Sequence, residues 1–304
     1  MLMNDCICEM TNVYKSYKKK LILQNINIQL EKGKIYGFIG KNGAGKTTTM
    51  KIIAGLSFAD RGYIQIFGKD TKKEMERARR KIGCIIENPA FFPDMSAKEN
   101  LKALCILYEI RDQKRIDDIL ELVGLKNTGK KKVKNFSLGM RQRLGIGMAL
   151  LNNPELLILD EPINGLDPDG IVEIRNLIKK INTEKKTTII ISSHILSEIY
   201  LMVDNYIIIS QGKIIEQISQ KELDEKCQKY ICIKDSKTEI VKEVLRDKLQ
   251  TNHFQIMEDG TCRLYDYTDN ILTVMEAFKD TEININEICV KEDSLEAYFF
   301  NRIG

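Results

Sequence analysis

The sequence predicts an α/β fold that carries a helical insert and ends in a small α+β appendage. Three observations predict it. Over residues 1 to about 228, short β-forming runs alternate with stretches of helical spacing. Within that span, about residues 94–151 are dominated by helical spacing. From about Tyr230 the order changes to strand, helix, two strands, helix and strand. We therefore expect one domain over residues 1–228 and a second over 229–304. Hydrophobic residues make up 43% of the 304, enough to give each a core.

In chain order, the first informative element is Lys34-Ile35-Tyr36-Gly37-Phe38-Ile39, a short apolar run that reads as a buried strand. It enters Gly40-Lys41-Asn42-Gly43-Ala44-Gly45-Lys46-Thr47, which fits G-x-x-x-x-G-K-[ST]. The glycines let the backbone curl so that successive N–H groups point at phosphate oxygens. Lys46 is placed to reach β- and γ-phosphates, and the Thr47 hydroxyl to hold Mg²⁺. Thr48 opens a helix running to Ala54, whose positive dipole end faces the phosphates. A nucleoside triphosphate site follows from strand, loop and helix together.

The next strand, Cys84-Ile85-Ile86, ends at Glu87 and leads into the helical insert. There Asn100–Leu107 and Ile116–Val123 carry apolar residues at helical spacing. Ser137 then offers an N-cap for a helix from Leu138 towards Leu150, and Gly139 permits close backbone approach. One nucleotide already fills the first loop. This second phosphate-seeking helix end therefore most simply faces a nucleotide held by another subunit. Leu156-Leu157-Ile158-Leu159-Asp160-Glu161 reads as a buried strand ending in two acids. Alternating side-chain direction sends them to different tasks. Asp160 suits Mg²⁺, and Glu161 suits the general base that polarises an attacking water. A further apolar run, Ile189-Ile190-Ile191-Ser192-Ser193, leads to His194.

Past Tyr230 we expect strands at Tyr230–Ile233, His253–Met257, Cys262–Tyr267 and Ile283–Val290, with a turn at Asp259-Gly260. Helices are expected at Glu239–Leu249 and Ile271–Phe278. That order suits a ferredoxin-like unit. A last helix, Ser294–Arg302, carries Tyr298, Phe299 and Phe300 for packing.

Composition narrows the function classes. Net charge is +4, from 47 basic and 43 acidic residues, too even to argue for nucleic acid. Lys18-Lys19-Lys20 and Lys130-Lys131-Lys132 read as solvated loops. No apolar run approaches the ~20 residues needed to span a bilayer. The N-terminus lacks the apolar core of a signal peptide. Eight scattered cysteines without a C-x-x-C, and only two histidines, His194 and His253, argue against a zinc cage and for reduced thiols in a cytosolic protein.

These motifs in combination resemble the ATP-binding subunits of ABC transporters over about residues 5–217. Gly40–Thr47 is similar to the Walker A loop, and Leu156–Glu161 to the Walker B strand with its catalytic glutamate. Ser137–Arg143 is similar to the family signature; read as SxG, Ser137 and Gly139 keep its contact positions. Asn164-Gly165-Leu166-Asp167 resembles the D-loop, His194 the switch histidine at the γ-phosphate, and Tyr17 the aromatic residue that stacks on adenine. Glu87 stands where the family usually has a glutamine that ligates Mg²⁺. That acid, with Asn88-Pro89-Ala90-Phe91-Phe92-Pro93 after it, resembles the bacitracin-resistance and lantibiotic self-protection exporters.

The resemblance implies a P-loop ATPase of the ABC type that hydrolyses ATP with Mg²⁺. It implies a sandwich of two copies around two nucleotides, in which Asp167, Ser137 and Gly139 join the nucleotide contacts. Separate transmembrane permease subunits would hold the chain at the inner face of the membrane, with Phe91 and Phe92 near their socket. The work implied is export of a peptide antibiotic, lantibiotic or similar drug. Two alternatives stay open: a soluble ATPase acting on ribosomes or nucleic acid, and a regulatory ATPase that senses without transport. A single cassette with no heptad tract and no C-x-x-C speaks against the first.

Overall fold

The structure, a computed structural model, describes residues 6–303 apart from 113, 235–237, 258, 280, 282–284 and 293. The chain divides into two compact units that part between Gln220 and Lys221.

The first unit opens with β1 (Cys6–Tyr17), β2 (Lys20–Glu31), β3 (Ile35–Ile39), α1 (Lys46–Ala54), β4 (Arg61–Ile66), α2 (Lys72–Ala78) and β5 (Ile82–Ile85). The helical insert follows as α3 (Ala97–Leu107), α4 (Lys114–Leu122) and α5 (Leu138–Ala149). The unit closes with β6 (Leu156–Leu159), α6 (Pro168–Lys185), β7 (Thr188–Ser192), α7 (Leu196–Tyr200), β8 (Asn205–Ser210) and β9 (Lys213–Ser219).

Two sheets organise it. One is antiparallel, in the order β2-β1-β4. The other runs β5-β6-β7-β3-β8-β9, with every pairing parallel except β8 with β9. Every residue of β3, β6 and β7 is buried. Helices cover both faces of a parallel sheet, which is why these strands read as unbroken apolar runs rather than alternating ones. The register aligns Ile85, Leu159 and Ile191 across β5, β6 and β7, and Ile191 with Gly37 of β3. Four neighbouring strands thus end along one edge, and whatever follows each of them is brought together there.

The insert packs its helices on one another through a close approach. A Cβ added to Gly147 of α5 would lie 3.0 Å from the Ile119 side chain of α4, a tight contact that would make Ile119 shift. Ser96 and Glu99 form a capping box at the start of α3. Arg115 donates to the carbonyls of Leu150 and Leu151 at 2.6 and 3.2 Å, satisfying the end of α5.

The second unit begins at Lys221, inside α8 (Gln220–Lys226), a helix that ends before the boundary near 228 expected from the sequence. It continues as β10 (Lys229–Lys234), α9 (Thr238–Asp247), β11 (Phe254–Ile256), β12 (Cys262–Leu264), α10 (Ile271–Phe278) and β13 (Glu287–Glu292). The sheet order is β11-β12-β10-β13, antiparallel throughout, so the topology is ferredoxin-like. Ile231, Ile233, Cys262 and Leu264 pack on Val241, Leu245, Val274 and Phe278 beneath the helices. The strands expected at His253–Met257 and Cys262–Tyr267 shorten to three residues each. Past them the chain is tied by side chains, because Thr251 and His253 both bond to Asp266. The expected start of the last strand, Ile283, lies outside the described residues. A last helix, α11 (Leu295–Ile303), buries Tyr298 and Phe299 but leaves Phe300 exposed.

Candidate active site

The loop after β3 is shaped by its glycines. A Cβ on Gly40 would lie 2.4 Å from the Ile209 carbonyl of β8, and Gly45 sits at φ +115. The tip residues Lys41, Asn42 and Gly43 are exposed, Ala44 is buried and Thr48 half-buried. Lys46 is buried, and its ammonium donates to the carbonyls of Gly40 at 2.5 Å and Lys41 at 3.3 Å. Burial pulls its pKa below the ordinary lysine value, while the carboxylates of Glu161 and Asp160 pull the other way.

A hydrogen-bonded chain joins this loop to the neighbouring strand ends. Thr47 Oγ1 donates to Asp160 Oδ2 at 2.7 Å, and Ser192 Oγ donates to Asp160 Oδ1 at 2.6 Å. The Glu161 N–H donates back to Ser192 Oγ at 2.8 Å. Asp160 is buried, so both its oxygens need these partners. Glu161 has φ +50, an unusual value for a residue with a side chain. Its Oε2 lies 2.8 Å from His194 Nδ1. A carboxylate accepts there, so Nδ1 carries the proton of that bond.

Ser137 caps α5 through a 3.2 Å bond from the Met140 N–H. At Gly139 an added Cβ would meet nothing nearer than Leu166 Cδ2, at 3.8 Å. Its own chain therefore leaves that position open.

The family model for ABC transporters matches residues 23–164. The bacitracin transport ATP-binding protein BcrA of Bacillus licheniformis is 41% identical over 98% of this chain and 97% of its own length. The chain belongs to the ABC transporter ATP-binding family. The lantibiotic transport ATP-binding protein SrtF of Streptococcus pyogenes is 47% identical over 70% of this chain and 90% of its own. Among solved structures, cbiO1 from Clostridium perfringens, part of the transporter complex cbiONQ, superposes with a TM-score of 0.66. It is 27% identical over 81% of this chain and 97% of its own. The cassette MJ0796, solved as a dimer bound to ADP and Pi in a post-hydrolysis state, gives 0.63 at 26% identity, over 70% of this chain and 98% of its own. This chain is an ATP-binding, ATP-hydrolysing transporter subunit.

In this ABC ATPase the remaining candidates lie as follows. Tyr17 ends β1, is 45% exposed, and its hydroxyl is 2.9 Å from Ser57 Oγ. The Asp167 carboxylate caps α6, accepting from the Gly170 N–H at 3.0 Å. Glu87, at φ +67, pairs with Lys51 at 2.6 Å with its carboxylate two-thirds exposed. Lys51 and Ser192 are the functional neighbours that the sequence reading missed. For Ser192 a signal existed: a buried polar residue closing an apolar parallel strand. For Lys51 no local signal exists, because its partner lies 36 residues on. No described helix is long and apolar enough to cross a membrane.

Proposed function

We propose that this subunit drives export of a peptide antibiotic or a similar drug, as half of an ATP sandwich docked on separate permease subunits. The observation that carries the catalytic part is the bonded chain Thr47–Asp160–Ser192–Glu161–His194. It ties the phosphate loop to an acid and a base with geometry already set. The substrate class rests on relatives named for bacitracin and lantibiotic transport, the first of which aligns along both units.

Lys46 turns its ammonium from the loop carbonyls to the β- and γ-phosphates, and the Gly40–Gly45 N–H groups line the same oxygens. The Thr47 hydroxyl and Asp160 carboxylate are hard oxygen donors held 2.7 Å apart, a pair that suits Mg²⁺. When bound there, the ion would supply positive charge against the negative charge of the phosphates. Glu161 takes a proton from the water that attacks the γ-phosphorus, as the bond to the β-phosphate oxygen breaks. His194 holds the Glu161 carboxylate through Nδ1 and offers Nε2 towards the water. Tyr17 stacks on the base. Glu87, once released from Lys51, would offer the same ion a further carboxylate oxygen.

The exposed Ser137–Gly139 turn, with Asp167 beside it, meets the nucleotide of a second copy. Leu138 is 39% exposed, and the open space at Gly139 supports that approach. A cleft of about 340 Å³ between Asn88–Ala90 and helices α3 and α5, lined by Leu56, Tyr108 and Met148, suits a permease segment. Phe92, 54% exposed, stands beside Asn88–Ala90 in sequence.

The test is expression with the neighbouring permease genes in a drug-sensitive host. Raised resistance to bacitracin or a lantibiotic, abolished by Glu161→Gln with membrane assembly intact, is expected. Purification with ribosomes in place of small membrane proteins would refute the reading.

A further inference from the structure

Cys232 and Cys289 are far apart in sequence, yet they are register partners on the antiparallel strands β10 and β13. Direct partners share a face of the sheet. Cys232 is buried and Cys289 half-buried. Glu287, two residues before Cys289 on the same face, accepts a bond from its thiol at 3.3 Å. The two sulfur atoms and a Glu287 oxygen all lie within 4.8 Å of one another. Among the described residues this is the one group of three or more such side chains so gathered.

We propose that Cys232, Cys289 and Glu287 form a binding site for a thiophilic divalent cation of the Zn²⁺ class. Metal–sulfur and metal–oxygen distances of ~2.3 and ~2.1 Å in a tetrahedron put neighbouring ligand atoms roughly 3.5–3.8 Å apart. The 3.3 Å between Cys289 Sγ and Glu287 Oε1 and the 4.8 Å limit on the whole set bracket that range.

A cation is already drawn to the spot. The Lys291 ammonium lies 2.5 Å from Glu287 Oε1 and 3.5 Å from Cys232 Sγ, and its side chain is 43% exposed and able to swing away. Binding releases the two thiol protons, and the ion takes both sulfur lone pairs and the carboxylate. Three anionic ligands on a divalent ion leave one excess negative charge. Arg263, the register partner of Cys232 on β12, stands on the same face to balance it. The fourth position opens on a pocket of about 620 Å³ that Cys232, Glu287, Arg263 and Lys291 help line.

The experiment uses the full chain, reduced with a phosphine, and Co²⁺ alone as probe. Thiolate-to-cobalt charge-transfer absorption saturating at one equivalent is expected, with Zn²⁺ abolishing it by displacement. The phosphate-loop site offers only oxygen donors, so cobalt bound there gives no such band. Cys289→Ser should remove the band, and Glu287→Gln should weaken binding at least tenfold. Lys291→Met should tighten it, because the competing ammonium is gone. Cys6→Ser should change nothing. Cys232 is buried, so Cys232→Ser is read only alongside a thermal scan, and the two half-exposed positions carry the decision. Absence of the band in the native protein, or its survival in Cys289→Ser, overturns the site.

Discussion

Gly139→Ala separates what the chain needs for itself from what it needs for a second copy. Gly139 lies in the first turn of α5, and its added Cβ would find only Leu166 Cδ2, at 3.8 Å, an ordinary contact. Within one chain, alanine should therefore be accepted. It removes backbone freedom from the unfolded state and raises stability by about 0.5–1 kcal/mol. For a unit of this size that corresponds to a rise of about 1–4 °C in Tm.

In the proposed closed pair the same methyl group would have to enter the gap between the Ser137 turn and a nucleotide held opposite. Overpacking of that kind costs about 1–3 kcal/mol. Turnover should then fall by a factor of about 5–150. The assay is steady-state ATP hydrolysis across a range of protein concentrations, paired with a thermal scan. A higher Tm with reduced turnover is expected. A higher Tm with native turnover at every concentration would show that no ligand approaches Gly139, and the sandwich would lose its main support.

Three other outcomes are expected. Glu161→Gln should bind ATP with near-native affinity but hydrolyse it at least a hundredfold more slowly, and a native rate would remove Glu161 as base. Ser192→Ala strips the buried Asp160 oxygen of one partner, so urea denaturation should show a loss of about 1–3 kcal/mol together with slower turnover. The Asp266 carboxyl is held below the usual carboxylate range first by Thr251 and then by His253, so its folded pKa lies under its unfolded one. Its stabilising contribution is thus present above the unfolded value of about 3.9 and is lost as pH falls through the folded value. The gap in urea midpoint between the native protein and Asp266→Asn should shrink on acidification, and a gap that widens would contradict the assignment.

How far the site could be read from sequence follows from which contacts are local. Gly40–Thr47, Asp160, Glu161 and His194 each follow an unbroken apolar run, so the strand that presents them is visible without a fold. Sheet order is not visible in that way. Ser192 matters because β7 lies between β6 and β3, which sets its hydroxyl against Asp160. Read along the chain, it is simply the end of a strand. Glu87 shows the same limit: its residue type was plain, but its partner Lys51 lies on α1, 36 residues earlier, and only the fold brings the two together. Cys232 and Cys289 looked scattered because cross-strand register, not spacing, brings them together. In the second unit, alternation and the Asp259-Gly260 turn were enough to fix the order of elements. Strand ends were not, because side chains around Asp266 close the chain there.

The contacts around Gly139 bear on coupling within one chain. Leu138 Cδ2 lies 3.3 Å from the position a Cβ on Gly165 would take, and Leu166 sits over Gly139. The Ser137 turn therefore rests on the Asn164–Asp167 loop. That loop is bonded back to Glu161, because the Asn164 N–H donates to the Glu161 carbonyl at 3.2 Å. Glu161 itself is held in a left-handed backbone conformation by Ser192 at its N–H and His194 at its carboxylate. Such a conformation costs about 1–3 kcal/mol and persists only where its surroundings fix it. A surface pressed against the Ser137 turn of one copy would thus reach that copy's own Glu161, the proposed base, through these contacts. Packed links of this kind have few alternative arrangements, so in the proposed sandwich closure around one nucleotide would bear on the residue proposed as base for the other.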